Sequence, residues 1–282
     1  MRQADFEYLA TFLKDSSGLV LTSNKEYLIE SRLLPIARDA GMEDIEGLVG
    51  KMKMTRSGPL HDQITEAMTT NESFFFRDKT PFEMFEKVIL PHLLETRGGL
   101  KKFRVWCAAA STGQEPYSLG MQLDELSSQM PGWRQEIVGT DLSAEVLRRA
   151  KLGRYTQFEV QRGLPINYLV KHFTQVGHDW ELSDKIRNMV QYRKLNLLED
   201  FKSLGNFDVI FCRNVLIYFD QKTKAQILER MVRQLSPDGF LVLGAAETVI
   251  GITDAFKPLK GCRGVYVPAG ADADRMNTSA VA

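Results

Sequence analysis

Residues 105–120, VWCAAASTGQEPYSLG, carry the first pattern in the sequence that could do chemistry. The stretch ends a predicted strand, continues as a loop of small side chains and begins a predicted helix, and such loops let the backbone approach a ligand closely. The G-x-G-x-x-G pattern of dinucleotide sites is absent, and only Gly113 has the conformational freedom of glycine. Because Glu115 at the start of the helix would repel a pyrophosphate, the loop favours a less anionic ligand with an amine or a ribose to hold.

Asp141 adds a second polar group, at the end of the next predicted strand, QEIVGTD. An acid at this position can bind both hydroxyls of a ribose. The structural alternative is that Asp141 caps the following helix, although Ser143 is already placed to do so. Together the two features describe adenosine without phosphates. This favours S-adenosylmethionine over NAD, but on spacing alone a nicotinamide oxidoreductase remains an alternative.

The histidines and cysteines argue against a metal site. The sequence contains no HExxH pair and no CxxC pair, which are common spacings of zinc ligands. Cys107, Cys212 and Cys262 are odd in number and far apart, which favours a reducing compartment over a disulfide framework. We therefore expect no metal and no disulfide.

Charge and hydropathy narrow the class of protein further. The 282 residues include 36 basic and 36 acidic side chains, so no basic excess is present to neutralise a nucleic acid. The most apolar stretch, residues 207–219, is interrupted by Arg213 and Asn214 and is shorter than the roughly 20 residues of a membrane span. A buried strand that ends in Arg-Asn is energetically costly unless these side chains have a polar partner. We expect a protein that neither binds nucleic acid nor inserts into a membrane.

The elements that must position these residues change character along the chain. Residues 1–70 show four helical patterns, the second of which contains Pro35 and should be kinked or split there. Residues 71–98 predict a connector that ends in one helix. From residue 99 onwards strands and helices alternate, and buried strands in that rhythm indicate an α/β domain with a mostly parallel sheet.

Two segments depart from the strand–helix alternation. Residues 153–190 predict a small subdomain inserted after the second helix of the α/β domain. Residues 271–282 are polar and small, which predicts a disordered tail after an α/β domain of residues 99–270.

Several motifs now resemble, in order and spacing, one family: the CheR-type chemotaxis receptor (protein-glutamate) O-methyltransferases. They are NESFFFR (71–77), WCAAASTGQEPYS (106–118), TDLS (140–143), LNLL (195–198), FDVIFCRNVLIYF (207–219) and LSPDGFLVLG (235–244). The likeness covers nearly the whole chain except the end from about residue 270. It implies a class I S-adenosylmethionine-dependent methyltransferase fold, Rossmann-like, with an N-terminal all-helical domain and a small inserted subdomain.

The resemblance also implies a function and a set of site residues. The expected activity is transfer of a methyl group from S-adenosylmethionine to glutamate side chains of chemoreceptors, in the cytoplasm and by a monomer, leaving S-adenosylhomocysteine. The helical domain of residues 1–70 would dock on the receptor's helical bundle through arginines such as Arg32 and Arg38. Arg77 and Tyr218 match positions beside the reacting centre. The positions around the cofactor match Asn71, Ser73, Arg77, Glu115, Asp141, Asn196 with Leu197, and Arg213 with Asn214.

The sequence departs from the family pattern at several positions. Ala110, Gln114 and Ser73 stand where the family commonly has Cys, Glu and Thr, and these exchanges keep size or hydrogen bonding. Ala245 and Ala246 replace a His-Ser pair, which removes any polar contact made there. Residues 173–184 are a few residues short of the loop that grips a receptor C-terminal peptide in some members, which favours independence from that tether. Alternatives are a methyltransferase with another acceptor and a silent receptor-binding scaffold.

Overall fold

The computed structural model describes residues 1–55 and 57–278, and the chain divides into two compact units. One comprises Met1–Thr70 with Tyr218–Thr223, and the other comprises Asn71–Ile217 with Lys224–Ala282. Among the described residues no helix combines the length and the apolar character needed to cross a membrane.

The first unit contains the four helices that the sequence predicts. They are α1 (Gln3–Ser17), α2 (Glu26–Asp39), α3 (Ile45–Met54) and α4 (Pro59–Met68), with a 3₁₀ turn at Ser23–Lys25. Their apolar faces meet in one core that includes Leu9, Leu33 and Leu48, each fully buried. Pro35 lies inside α2, which continues to Asp39, so the predicted split of this helix does not occur.

The connector helix is interrupted by a change of hydrogen-bond pattern. Helix α5 (Thr80–Met84) passes through a π-helical turn (Phe85–Ile89) into α6 (Leu90–Thr96). In the π-helical turn the N–H of Leu90 donates to the carbonyl of Phe85. Pro91 follows directly and has no N–H, so an ordinary α-helical ladder could not continue through it unchanged.

The second unit continues with alternating strands and helices. In chain order they are β1 (Lys102–Cys107), α7 (Gln114–Glu125), β2 (Arg134–Asp141), α8 (Ala144–Leu152), β3 (Arg154–Thr156), α9 (Gln157–Gln161), α10 (Ile166–His172), β4 (Phe173–Val176), β5 (Asp179–Leu182), α11 (Asp184–Arg187), β6 (Val190–Lys194), β7 (Phe207–Cys212), α12 (Gln221–Gln234), β8 (Leu235–Leu243), β9 (Phe256–Pro258), β10 (Val265–Pro268) and α13 (Ala273–Thr278). Short 3₁₀ turns lie at Ser127–Gln129, Lys202–Leu204 and Leu216–Tyr218.

Seven strands form one sheet in the order β6-β2-β1-β7-β8-β10-β9. The pairs among β6, β2, β1, β7 and β8 are parallel, and β10 runs antiparallel to both of its neighbours. Every residue of β7 is buried, as expected for a strand covered on both faces. The strand order reverses between β1 and β7, so the carboxyl ends of these strands border the crevice where such sheets bind ligands.

The inserted segment forms a separate three-stranded antiparallel sheet in the order β3-β5-β4. Helix α12 ends at Gln234 and β8 begins at once. One other detail differs from the sequence prediction. The segment predicted as a disordered tail contains α13, where Met276 is buried in the core of the second unit; residues 279–282 lie outside the described residues.

Candidate functional site

The loop after β1 is tied to the strands on both sides of it. The N–H of Ala108 donates to the carbonyl of Phe211 on β7 at 2.8 Å, and the N–H of Ala110 donates to the carbonyl of Thr140 on β2 at 2.9 Å. The loop therefore continues the sheet hydrogen bonding past the end of β1. This holds the small side chains at the point where the strand order reverses.

Gly113 is required at the start of α7 for two reasons. Its φ is +95°, a conformation that residues with a side chain rarely adopt. A Cβ there would lie 2.7 Å from the hydroxyl oxygen of Tyr192 and 3.0 Å from the Cβ of Ala150. Ser111 is also left-handed, with a φ of 49°, and backbone strain of this kind collects at ligand-binding loops.

Asp141 holds this loop from the end of β2. Its Oδ2 accepts the N–H of Ser111 at 2.9 Å, and its Oδ1 accepts the N–H of Ser143 at 3.0 Å. The hydroxyl of Ser143 accepts the N–H of Val146 and caps α8. Ser143 is thus the helix cap. Asp141 instead joins the β1 loop to the β2 loop.

Glu115 and Arg213 form an ion pair inside the protein. Nη1 of Arg213 donates to Oε2 of Glu115 at 2.7 Å, and only 5% of Arg213 and 8% of Glu115 is exposed. Nη2 of Arg213 also donates to the carbonyl of Arg77 at 2.7 Å and to Oδ2 of Asp78 at 2.8 Å. One guanidinium therefore joins the end of β7, the start of α7 and the segment before α5.

Burial sets the protonation behaviour of the groups around this pair. It raises the pKa of Glu115, although the guanidinium of Arg213 opposes the rise. Burial also raises the pKa of the Cys107 thiol far above its ordinary value. The thiol is therefore neutral at physiological pH and is not a nucleophile.

Arg213 has one donor that the protein does not satisfy. Its Nε is buried and has no hydrogen-bond partner among the described residues. Buried donors are nearly always paired in folded proteins, so an orphan of this kind indicates a place for a ligand. The orphaned donor, the small-residue loop and the Asp141 carboxylate together fit a nucleoside that carries a charged tail.

Glu247 was not among the residues predicted from the sequence, yet it accepts four backbone N–H groups. Its Oε2 accepts from Asn214 at 2.8 Å and from Gly244 at 2.7 Å. Its Oε1 accepts from Val215 at 2.9 Å and from Leu216 at 2.7 Å. Asn214 has a φ of 58°, so this carboxylate stabilises the strained turn that follows Arg213 by binding its N–H groups.

The segment that begins at Asn71 packs on the same loop. The hydroxyl of Ser111 donates to the carbonyl of Asn71 at 2.8 Å, and the N–H of Phe76 donates to the hydroxyl of Ser118 at 3.0 Å. Ser73 lies between these two anchor points and is partly buried. The segment therefore forms a wall of the crevice that α7 and the β1 loop begin.

The guanidinium of Arg77 contacts other residues of the same segment. Its Nη1 donates to the carbonyl of Glu72 at 2.8 Å, and the guanidinium carbon lies 5.5 Å from the centre of the Phe74 ring. The guanidinium carbon of Arg162 lies 4.4 Å from the centre of the same ring, and Nη2 of Arg162 donates to Oε1 of Glu72 at 2.5 Å. Arg77 is partly exposed, so it can reach an anionic group that enters the crevice.

Asn196 and Leu197 follow β6 and lie beside Asp141, because the N–H of Leu195 donates to the carbonyl of Asp141 at 2.9 Å. Oδ1 of Asn196 accepts the N–H of Leu198 at 3.0 Å. Leu197 is 7% exposed and adds an apolar side chain directly after Asn196. An apolar surface beside a carboxylate suits the base and the ribose of a nucleoside.

Tyr218 belongs to the other compact unit. It ends the Leu216–Tyr218 turn, and its carbonyl accepts the N–H of Val20 at 3.0 Å. The other predicted site residues all belong to the second unit. The role of Tyr218 at the reacting centre stays a prediction. Within residues 1–55 and 57–278, no group of three or more His, Cys, Asp or Glu side chains could hold a metal ion.

Comparison with known proteins gives matches over most of the chain. A family model described as "CheR methyltransferase, SAM binding domain" matches residues 71–265, and one described as "CheR methyltransferase, all-alpha domain" matches residues 4–69. Chemotaxis protein methyltransferase 1 of Pseudomonas aeruginosa is 41% identical, over 94% of this chain and 98% of its own. Chemotaxis protein methyltransferase Cher2 of Pseudomonas putida is 38% identical over the same shares.

Among solved structures, a TehB-like S-adenosylmethionine-dependent methyltransferase from Corynebacterium glutamicum overlaps 63% of this chain and 86% of its own. The identity is 15% and the TM-score is 0.37.

Proposed function

Because the chain belongs to the CheR methyltransferase family and is a methyltransferase that uses S-adenosylmethionine, we propose that it methylates glutamate side chains of chemoreceptors. The observation that carries the proposal is the buried Arg213–Glu115 pair with its orphaned Nε, set against the small-residue loop. This arrangement offers an unpaired donor and, in Glu115, a carboxylate that would repel a pyrophosphate.

We assign the cofactor-binding groups by their chemistry. The carboxylate of Asp141 binds the ribose hydroxyls, and the apolar surface of Leu197 beside Asn196 borders the base. The other end of the crevice is formed by Glu115, Arg213 and Asn214. Its wall is formed by Asn71, Ser73 and Arg77. In this proposal the binding residues of the segment before α5 face those that follow β1, β2, β6 and β7.

The proposed reaction requires little acid–base chemistry from the protein. S-adenosylmethionine supplies a methyl group on a sulfonium; a glutamate oxygen attacks it, the carbon–sulfur bond breaks, and a methyl ester and S-adenosylhomocysteine form. A glutamate carboxylate has an ordinary pKa of about 4.3 and is already a nucleophile at neutral pH. The buried, neutral thiol of Cys107 is consistent with a site that needs no nucleophile of its own.

Alignment and exclusion of water are the tasks left to the side chains. Arg77 orients a carboxylate at the crevice, since a guanidinium can bind both of its oxygens at once. Tyr218 contributes a hydroxyl or an aromatic face toward the sulfonium, worth roughly 0.5–2 kcal/mol as a cation–π contact. Opposite charges are consumed during transfer, so a site with little water favours the step.

The receptor contact falls to the helical domain of residues 1–70, acting as a monomer on the cytoplasmic helical bundle of the receptor. Binding of a receptor C-terminal peptide is not required in this proposal. The support is the hairpin between β4 and β5, whose connection is only Gly177 and His178. So short a turn leaves little backbone with which to grip a peptide.

Three measurements test the proposal. Purified protein, radiolabelled S-adenosylmethionine and receptor-containing membranes should yield label on the receptor as a base-labile ester; label on a small metabolite would refute the acceptor. Calorimetry with S-adenosylhomocysteine should show weaker binding for Asp141→Ala while the fold, followed by circular dichroism, is unchanged. Unaltered affinity in that variant would refute the ribose assignment. Receptor tail peptides should show no binding in the same instrument.

A further inference from the structure

A second opening lies beside the crevice, on the far side of the turn after Arg213. It is a cavity of about 220 Å³ at the carboxyl end of β8 and the turn before β10. None of the predicted site residues lines it. The lining residues are Asp78, Thr80, Pro81, Leu243, Gly244, Ala245, Glu247, Arg263, Gly264 and Tyr266.

Both carboxylates of this cavity are already engaged. Asp78 accepts from Nη2 of Arg213 at 2.8 Å. Glu247 accepts the four backbone N–H groups described above, at 2.7–2.9 Å. Asp78 is therefore paired with a cation, although Arg213 also serves Glu115, and the oxygens of Glu247 are occupied by neutral N–H groups.

Arg263 is the cation of the cavity, and it is exposed at the mouth. Within the part of the chain that the structure describes, its guanidinium has no ion-pair or hydrogen-bond partner. The hydroxyls of Thr80 and Tyr266 also line the cavity, and Ala245 at its edge is too small to obstruct it. The unpaired guanidinium of Arg263 can therefore bind an anionic group at the mouth of the cavity, where the two carboxylates already have donors of their own.

The position of the cavity relative to the cofactor site indicates what enters it. The groups assigned to the cofactor lie at the carboxyl ends of β1, β2, β6 and β7, whereas the cavity lies beyond β7, over β8 and β10. The two regions meet at Asp78, bonded to Arg213, and at Glu247, bonded to Asn214. An acceptor that approaches through the cavity would thus meet the crevice at its Arg213–Asn214 end.

We propose that this cavity receives the acceptor segment of the receptor and that Arg263 binds an acidic side chain next to the glutamate that is methylated. The inference rests on the proposed function, because it assumes a glutamate acceptor within a protein segment. Arg263 is then a specificity-determining residue: it selects acidic sequence around the acceptor and takes no part in methyl transfer.

The test compares Arg263→Ala and Arg263→Glu with the wild type, using a purified receptor cytoplasmic fragment whose methylated glutamates have been mapped. The KM for the fragment should rise about two- to fivefold for Arg263→Ala, as expected for loss of an exposed ion pair, and further for Arg263→Glu. The kcat and the affinity for S-adenosylhomocysteine should not change. Lysine in place of the neighbouring acid on the receptor should restore the KM of Arg263→Glu.

A matched control is Arg134→Glu. Arg134 is an exposed arginine at the first residue of β2, at the amino end of that strand. The variant therefore carries the same charge change, and Arg134 does not line the cavity. Equal effects of Arg134→Glu and Arg263→Glu, or an unchanged KM in both Arg263 variants, would overturn the inference. So would loss of S-adenosylhomocysteine binding, which would assign the cavity to the cofactor. If the wild type forms no base-labile ester at all, the proposed function itself fails.

Discussion

The carboxylate of Glu247 receives the N–H of Asn214 at 2.8 Å, and this bond links the end of β8 to the turn that carries two predicted cofactor residues. Asn214 is left-handed at a φ of 58°, a conformation that costs of order 1–3 kcal/mol for a residue with a side chain. The four N–H groups bound by one carboxylate offset that cost. Glu247 therefore positions Asn214 and the turn that follows Arg213 through backbone N–H groups.

We expect Glu247→Gln to lower the free energy of unfolding by about 2–3 kcal/mol, since an amide presents donors to N–H groups that then lack an acceptor. Affinity for S-adenosylhomocysteine should fall as well, because the turn after Arg213 loses its support. Urea unfolding and calorimetry measure the two effects. Glu229→Gln, an exposed position on α12, should leave both unchanged. Normal affinity in a destabilised Glu247→Gln protein would limit Glu247 to a structural role.

Arg77 and Arg162 provide a matched pair for testing the crevice wall. Both contact the ring of Phe74 and both bond to Glu72, one through the backbone carbonyl and one through the carboxylate. Arg77→Ala should lower methyl transfer by about 100-fold or more, the usual effect of removing an electrostatic group at a reacting centre. Arg162→Ala should keep most of the activity. Similar losses in both variants would mean that the wall, and not the Arg77 charge, matters.

The two arginines of α2 that the resemblance singled out have different surroundings. Nη1 of Arg32 donates to the carbonyls of Met68 and Thr69, each at 2.9 Å, and so caps the end of α4. Arg38 is exposed. Docking on an acidic receptor surface is therefore better assigned to Arg38, whereas Arg32 stabilises the helical domain.

Arg38→Ala should raise the KM for the receptor about two- to fivefold at unchanged stability, as for loss of an exposed ion pair. Arg32→Ala should lower the melting temperature, because bonds from a charged donor to two carbonyls are worth about 1.5–3 kcal/mol. Steady-state methylation and thermal unfolding separate the effects. A stable Arg32→Ala protein with a raised KM would reverse the assignment.

Part of the site could be predicted from the sequence because certain polar residues end buried apolar runs. Asp141 and Arg213 both do so, and a polar side chain there requires a partner. The strand–helix alternation likewise indicated the parallel sheet. In each case the signal is local, within a few residues of the strand that carries it.

The parts that could not be predicted depend on contacts between distant residues. Glu247 binds backbone N–H groups, which every residue except proline carries, so the sequence does not mark its partners. The one available signal was that Glu247 is an acid shortly after the apolar run of β8, as Asp141 is at the end of β2. The hydroxyl of Tyr155 donates to the carbonyl of Thr112, 43 positions away, at 2.8 Å. The hydrophobic periodicity of the sequence does not predict such a bond. Helix α13 was missed because the composition of the segment is polar, although Met276 is buried.

A partly buried ion network in the first half of β8 predicts how the free energy of unfolding depends on pH. Asp238 accepts from Nη1 of Arg97 at 2.8 Å and lies 3.4 Å from Nε2 of His92. These bonds, that of His92 first and then that of Arg97, hold the pKa of Asp238 well below its ordinary value. The folded protein therefore favours the charged carboxylate more than the unfolded chain does.

A carboxyl group of this kind stabilises the fold fully above its unfolded pKa of about 3.9, and the contribution is lost as the pH falls through the lower, folded pKa. Asp238→Asn should thus lower the free energy of unfolding by about 1 kcal/mol at pH 7, a value discounted for the partial exposure of the side chain. The difference from the wild type should shrink as the pH falls below about 4. Urea unfolding from pH 3 to 7 measures it, with Asp62→Asn on α4 as the exposed control. A difference that stays constant or grows toward acid would contradict the role given to the Asp238 charge.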